Sequence, residues 1–274
     1  MSDLDFSCAS VTREAGVATV ILTPTGKANR MGPDYWAQMP ALFAALDADD
    51  SVRAVVLRGG AHFSFGLDLA SMAGELGPLL SPEAPAADRT KLLAVIRKMQ
   101  GANTAVAACR KPVIAAVSGW CIGGGVDLIC ACDVRLCSAD AKFSVREVKL
   151  AMVADVGTLA RLPPIVGQGT AREWAFTGDD IDADRALRSG LVSDVFATSD
   201  ALYDAATAMA QRMAKNPPRV VQGIKEVMNA SSETAAASSL ATVALWNSAF
   251  LPSKDLAEAM TAFMEKREPR FTGE

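Results

Sequence analysis

Histidine is nearly absent from the chain: His62 is the only one in 274 residues. A site built on several histidines is excluded, and Ser–His or Cys–His catalysis has a single candidate base. Cysteine occurs six times, at Cys8, Cys109, Cys121, Cys130, Cys132 and Cys137, but never as a CxxC pair. Four of the six lie in or just after one apolar run, which reads as buried free thiols rather than disulfides or a metal site. A strong charge of either sign is lacking too. The net charge is −4, and the one cationic cluster, EKREPR near the C-terminus, is interrupted by acids, so no nucleic-acid partner is expected. No apolar run reaches the length of a membrane span, so no membrane partner is expected. The acidic start MSDLDFSCAS does not read as a secretory signal and RFTGE is not a peroxisomal address; these absences lead to the expectation of a cytoplasmic protein.

What is present describes an ordinary globular chain, 50% hydrophobic and 21% charged, long enough for one large domain. VATVILT (17–23), VRAVVLRG (52–59) and KPVIAAVSG (111–119) read as buried strands, and VRLCSADAKFSV as a return to strand. YWAQMPALFAALDAD has helical spacing, and GVDLICACD has the pattern of a buried helix. Strands alternating with helices imply an α/β class. GELGPLLSPEAPAADR reads as a loop, a mobile lid or pocket wall. From about Leu202 the strand signals stop. Four helical stretches follow, separated by Pro, Asn or Ser breaks, and they are too few for a core of their own. The expected organisation is a core over 1–201 and a helical region over 202–274 that packs on it or on another subunit.

Two short loops look alike. FSFGLDL (63–69) follows the strand AVVLRGG, and CIGGGVDL (121–128) follows VIAAVSG. In each, glycine lets the main chain turn sharply and approach a ligand, and a helix start offers free N–H groups. Two such loops face to face can hold one oxygen between two backbone N–H groups, which is an oxyanion hole. The glycines fit neither GxGxxG nor GxxxxGK[ST], so a nucleotide site is not indicated.

FSFGLDLASM together with GWCIGGGVDLICACDVRLCSADAKF resembles the crotonase (enoyl-CoA hydratase/isomerase) superfamily, and the resemblance continues through FSVREVKLAMVADVGTLARLPPIVG, TGDDIDADRALRSGLVSDVF and FMEKREPRFTG. It implies a crotonase-like ββα spiral core, an acyl-CoA thioester substrate, and no cofactor beyond the coenzyme A of the substrate. It also implies a homotrimer, or a hexamer as a dimer of trimers, assembled through the C-terminal helices. The oxyanion hole would be the N–H of Leu67 and of Gly124. Substrate-binding residues would be Phe65, Gly66, Asp68 and Leu69, with Lys27 and Arg30 of GKANRMG as candidates for the CoA phosphates. Phe65 stands where the family usually has a small residue, and Trp120 also departs from its pattern; both could reshape the acyl pocket.

Three acids narrow the resemblance. Taken alone, Asp127 could cap its helix, Glu147 in REVK reads as a solvated, salt-bridged face, and Asp155 before Val-Gly-Thr reads as a turn or N-cap. Taken together, they resemble the Δ3,5-Δ2,4-dienoyl-CoA isomerase branch, in which they would be catalytic. The implied reaction moves a proton from C2 to C6 of a 3,5-dienoyl-CoA in fatty-acid β-oxidation, with Glu147 as base, Asp155 as acid and Asp127 tuning them. The alternatives are an enoyl-CoA hydratase using Asp127 and Glu147, and a non-catalytic or RNA-binding member of the fold. His62 is expected to be structural, and Asp68 to cap a helix.

Overall fold

A computed structural model describes residues 6–22 and 29–274. The main sheet has the order β1-β2-β3-β4-β6-β9. β1 (Ala9–Glu14) and β2 (Val17–Leu22) form an antiparallel hairpin at one edge. β3 (Ala54–Arg58), β4 (Val113–Val117), β6 (Val134–Ser138) and β9 (Asp194–Phe196) continue it in parallel. β4 is buried along its whole length and reads VIAAV, the unbroken apolar run of a strand covered on both faces. A second, small sheet joins β5 (Trp120–Ile122), β7 (Lys142–Ser144) and β8 (Ile181–Asp182). The expected single strand VRLCSADAKFSV is thus two, β6 and β7, in different sheets, because the chain turns at Ala139–Ala141.

The larger apolar core lies between one face of the main sheet and α1 (Pro33–Ala48), α3 (Ala86–Ala108) and α4 (Gly124–Cys130). The other face is covered by α8 (Ser199–Ala214). Leu202, Ala206, Ala210 and Ala214 recur every four residues along α8 and meet Val17, Ala54, Val56, Ile114, Ala116 and Leu136. Three of those four helix positions are alanine, so the helix lies close on the strands. The six cysteines are buried and free, and burial pushes those at 130, 132 and 137 up to about 12.

Two expectations are corrected here. The stretch GELGPLLSPEAPAADR is not a free loop: α2 (Leu69–Leu76) and a 3₁₀ turn (Gly77–Leu80) occupy its first half, and α3 begins at Ala86. Leu76, Leu79 and Ala84 are buried and pin it down. The expected break at Asn229–Ser232 is also absent, since α9 runs unbroken from Pro218 to Phe250. The residues read as breakers have their polar groups satisfied. Asn229 donates to Ala107 O on α3, while Ser232 and Thr234 donate back to the carbonyls of Met228 and Ala230. The chain ends with α10 (Lys254–Glu265).

Candidate active site

β3 and β4 are adjacent and parallel, and the two glycine loops leave from their C-terminal ends. Backbone hydrogen bonds hold the loops against each other: Ser64 N–H donates to Trp120 O and Ile122 N–H to Ser64 O. The hydroxyl of buried Ser64 accepts from Gly66 N–H and donates to Asn29 O. Met31 lies on the far side of the first loop, with its N–H on Gly66 O and its O accepting from Asp68 N–H.

This bracing leaves Leu67 N–H and Gly124 N–H with no acceptor among the described residues. The two loops come very close. A Cβ placed on Gly66 would stand 2.8 Å from Ile122 O and 2.9 Å from Gly124 N, and Gly66 has φ +74°, a region that favours glycine. Gly123, with φ +53°, turns the chain into α4.

Below these N–H groups opens a cavity of about 340 Å³, lined by apolar side chains and three carboxyls, Asp127, Glu147 and Asp155. Each comes from a different element. Asp127 is in the first turn of α4 and fully buried. Its Oδ1 accepts from the N–H of Thr158, the first residue of α5 (Thr158–Val166), so the carboxylate faces a helix N-terminus. Its Oδ2 has no partner. Glu147 opens a 3₁₀ turn (Glu147–Leu150); its Oε2 is buried and unpartnered, and a Cβ on Gly123 would stand 3.3 Å from its Oε1. Glu147 is therefore beside the glycine corner, not on a solvated face. Asp155 precedes α5 and is held by α9: Asn247 Nδ2 donates to its Oδ2 at 2.7 Å.

Burial is the leading cause of a raised pKa at all three acids. It takes Glu147 to about 8, helped by the neighbouring charges of Asp127 and Asp155. Asp127 rises to about 7, because the Thr158 donor and the Arg161 guanidinium offset part of the burial. Asp155 rises to about 6, restrained by the Asn247 amide. Three carboxyls with values around neutrality can both hold and release protons at physiological pH.

The other expected site residues divide. Phe65, Gly66, Leu67, Leu69 and Arg30 line the cavity with Gly124. Asp68 does not line it; it caps α2, accepting from Ser71 N–H. Lys27 lies outside the described residues. Phe65 packs edge-on to His62 and tilted to Trp120, and His62 Nδ1 accepts Trp120 N–H at 3.2 Å, so His62 joins an aromatic cluster behind the loop. Asn247 and the amides that grip the Asp155 segment, Gln100 and Asn103, are absent from the expected set. The signal that could have found them is a polar residue on a buried helical stripe: Asn247 continues Ala236, Leu240 and Ala244, and Gln100 follows Leu92, Ile96 and Met99.

A family model described as enoyl-CoA hydratase/isomerase matches residues 12–274. The chain is 42% identical to the Delta(3,5)-Delta(2,4)-dienoyl-CoA isomerase, mitochondrial, of Dictyostelium discoideum, covering 93% of this chain and 87% of that protein. It is also 42% identical to the Delta(3,5)-Delta(2,4)-dienoyl-CoA isomerase, peroxisomal, of Arabidopsis thaliana, covering 94% and 93%. Among solved structures, an enoyl-CoA hydratase/isomerase from Pseudoalteromonas atlantica T6c superposes with a TM-score of 0.84 at 25% identity, covering 97% of this chain and 100% of that one. The relatives are named for mitochondria or peroxisomes, which overturns the expectation of a cytoplasmic protein. That expectation rests on end signals alone, and such signals are addresses read by receptors, not properties of the fold.

Proposed function

The chain belongs to the enoyl-CoA hydratase/isomerase family and is a Δ3,5-Δ2,4-dienoyl-CoA isomerase of crotonase fold, and from that premise we propose how its residues divide the work. The supporting observation is the single cavity in which three buried carboxyls lie below two free backbone N–H groups. The thioester oxygen is held between Leu67 N–H and Gly124 N–H. Glu147, beside the Gly123 corner, is next to the carbonyl end and takes the proton from C2. The electrons of that C–H bond pass into an extended enolate whose negative oxygen is stabilised in the hole. Asp155 gives its proton to C6. As the C6–H bond forms, the double bonds shift to positions 2 and 4 and the carbonyl is restored. Asp127, against the α5 N-terminus, adjusts the charge of the other two. The thioester itself is the electron sink, so the scheme calls on no metal or redox cofactor.

The raised pKa values suit these roles. Glu147, whose anion has the least support, is the stronger base, and Asp155, whose anion accepts the Asn247 amide, is the stronger acid. Supplying a 3,5-dienoyl-CoA and a 2-enoyl-CoA to the pure protein tests the reading. The diene is expected to be converted to the 2,4-dienoyl product, with hydration of the 2-enoyl-CoA much slower; rapid hydration with the diene untouched would sink it.

Arg30 lines both the cavity and the depression beside it, and is proposed to meet a CoA phosphate. The chain is further proposed to assemble as a trimer, or as a hexamer of paired trimers. Val220, Ile224, Val227 and Met228 make an exposed apolar face at helical spacing on α9, and Leu245, Trp246 and Phe250 extend it. Light scattering at micromolar concentration is expected to give at least three times the single-chain mass; a monodisperse monomer would refute this. Among the described residues no helix is long and apolar enough to cross a membrane.

A further inference from the structure

The carboxylate of Asp155 accepts from a side-chain amide. That donor, Asn247, is 2% exposed and comes from α9, 92 residues along the chain. Its Nδ2 donates to Asp155 Oδ2 at 2.7 Å and to Val153 O at 2.8 Å. Both partners are acceptors, so the amide can sit only one way round; flipped, it would turn its own oxygen on both. The main chain of this segment is held independently. Gln100 Nε2 donates to Asp155 O at 2.7 Å, and Asn103 Nδ2 to Val156 O at 3.2 Å. Asn247 thus shares the holding of this loop with Gln100 and Asn103, and the contact it makes alone is with the carboxylate.

We infer that Asn247 is a positioning residue for protonation at C6: by donating to Oδ2 it confines the acidic proton of Asp155 to Oδ1, the oxygen no side chain holds. This rests on the division of labour proposed above. In a protonated carboxyl the carbonyl oxygen is the better acceptor, so an N–H on Oδ2 favours the hydrogen on the other oxygen. When that proton passes to C6, the O–H electrons stay on the carboxylate, and the N–H bond to Oδ2 strengthens as the negative charge appears. The charged groups around Asp155 come from several elements. Asp127 on α4 and Glu147 on its 3₁₀ turn share the cavity, Arg30 and Arg146 line it, and Arg161 on α5 stands behind Asp127 with its partner Glu233 on α9. The remaining lining side chains are uncharged.

Asn247→Leu and the smaller Asn247→Ala remove the donor, and circular dichroism with CoA affinity shows which of them is folded. For a 3,5-dienoyl-CoA, KM is expected to stay within about threefold and kcat to fall about tenfold, from the lost orientation of the proton. Loss of a donor to the anion raises the Asp155 pKa, so the limb of the kcat–pH profile set by Asp155 is expected to move up by about one pH unit. In an Asp155→Asn background the same change is expected to cost less than about twofold, because its target is gone. Unchanged kcat overturns the inference. So does a fall that leaves the Asp155 limb unmoved and persists in the Asp155→Asn background, which marks a purely structural role. If Asp155→Asn alone retains full turnover, the division of labour beneath the inference fails, and the inference with it.

Discussion

Replacing Asp155 with asparagine is expected to slow isomerisation of a 3,5-dienoyl-CoA by about 100-fold or more while leaving CoA affinity nearly intact. The scale is that of general acid–base catalysis. Asparagine keeps the size and the polar surface of the side chain, but it has no acidic proton to give to C6. The neighbours have no equivalent group to offer. Glu147 sits at the Gly123 corner, and Asp127 is tied to Thr158 N–H on another face of the cavity. Hydration of a 2-enoyl-CoA needs no acid at C6, so any such side activity is expected to change little. Steady-state kinetics on both substrates, with a CoA binding titration, reads the outcome. Full isomerisation by the variant would remove Asp155 from the chemistry.

A comparable loss, about 100-fold to 1,000-fold in kcat, is expected for Gly66→Ala, the usual cost of losing one oxyanion donor. Gly66 has φ +74°, where an alanine is strained, and its new Cβ would stand 2.8 Å from Ile122 O and 2.9 Å from Gly124 N. Both neighbours are backbone and cannot swing aside. The loops must part, which moves Leu67 N–H and Gly124 N–H off a common oxygen. The bracing through Ser64 and Met31 keeps the rest of the first loop in place, so the fold is expected to survive. Unaltered kcat in a folded Gly66→Ala protein would show that these two N–H groups do not hold the thioester oxygen.

The features legible in the sequence are those that a local pattern carries. The parallel strands are short apolar runs, and the hole is two glycine loops, each following such a run. Short or polar strands carry no comparable signal: β5, β8 and β9 have two or three residues each and are stabilised by their partners. Glu147 shows the limit of local reading most clearly. Flanked by Arg146 and Lys149, it looks like a solvated acid, yet Arg146 turns to Asp180 and Lys149 to Asp179, and Glu147 is half-buried with its Oε2 out of solvent. Asn247 and Gln100 reach Asp155 across 92 and 55 residues. Nothing in a window of either sequence segment encodes that meeting; only tertiary packing brings it about. The unbroken α9 is the same case, since its middle is carried by contacts with α3 and α5 despite a run of weak helix formers.

α9 also acts as a ruler. Along this one rod, Lys225 pairs with Asp133, Glu233 with the buried guanidinium of Arg161, and Asn247 with Asp155. Each residue of α-helix advances about 1.5 Å and rotates about 100°. The anchors at Glu233 and Asn247 are therefore in phase only at the present length of the stretch between them. One inserted residue would swing Asn247 about 100° away from the carboxylate while the Arg161 pair stayed put. Four would bring it round to within about 40°, but roughly 6 Å too far along the axis. Side chains on the outer face of that stretch are free to vary, whereas its residue count is not: the amide that meets Asp155 is kept in place by the length of a helix.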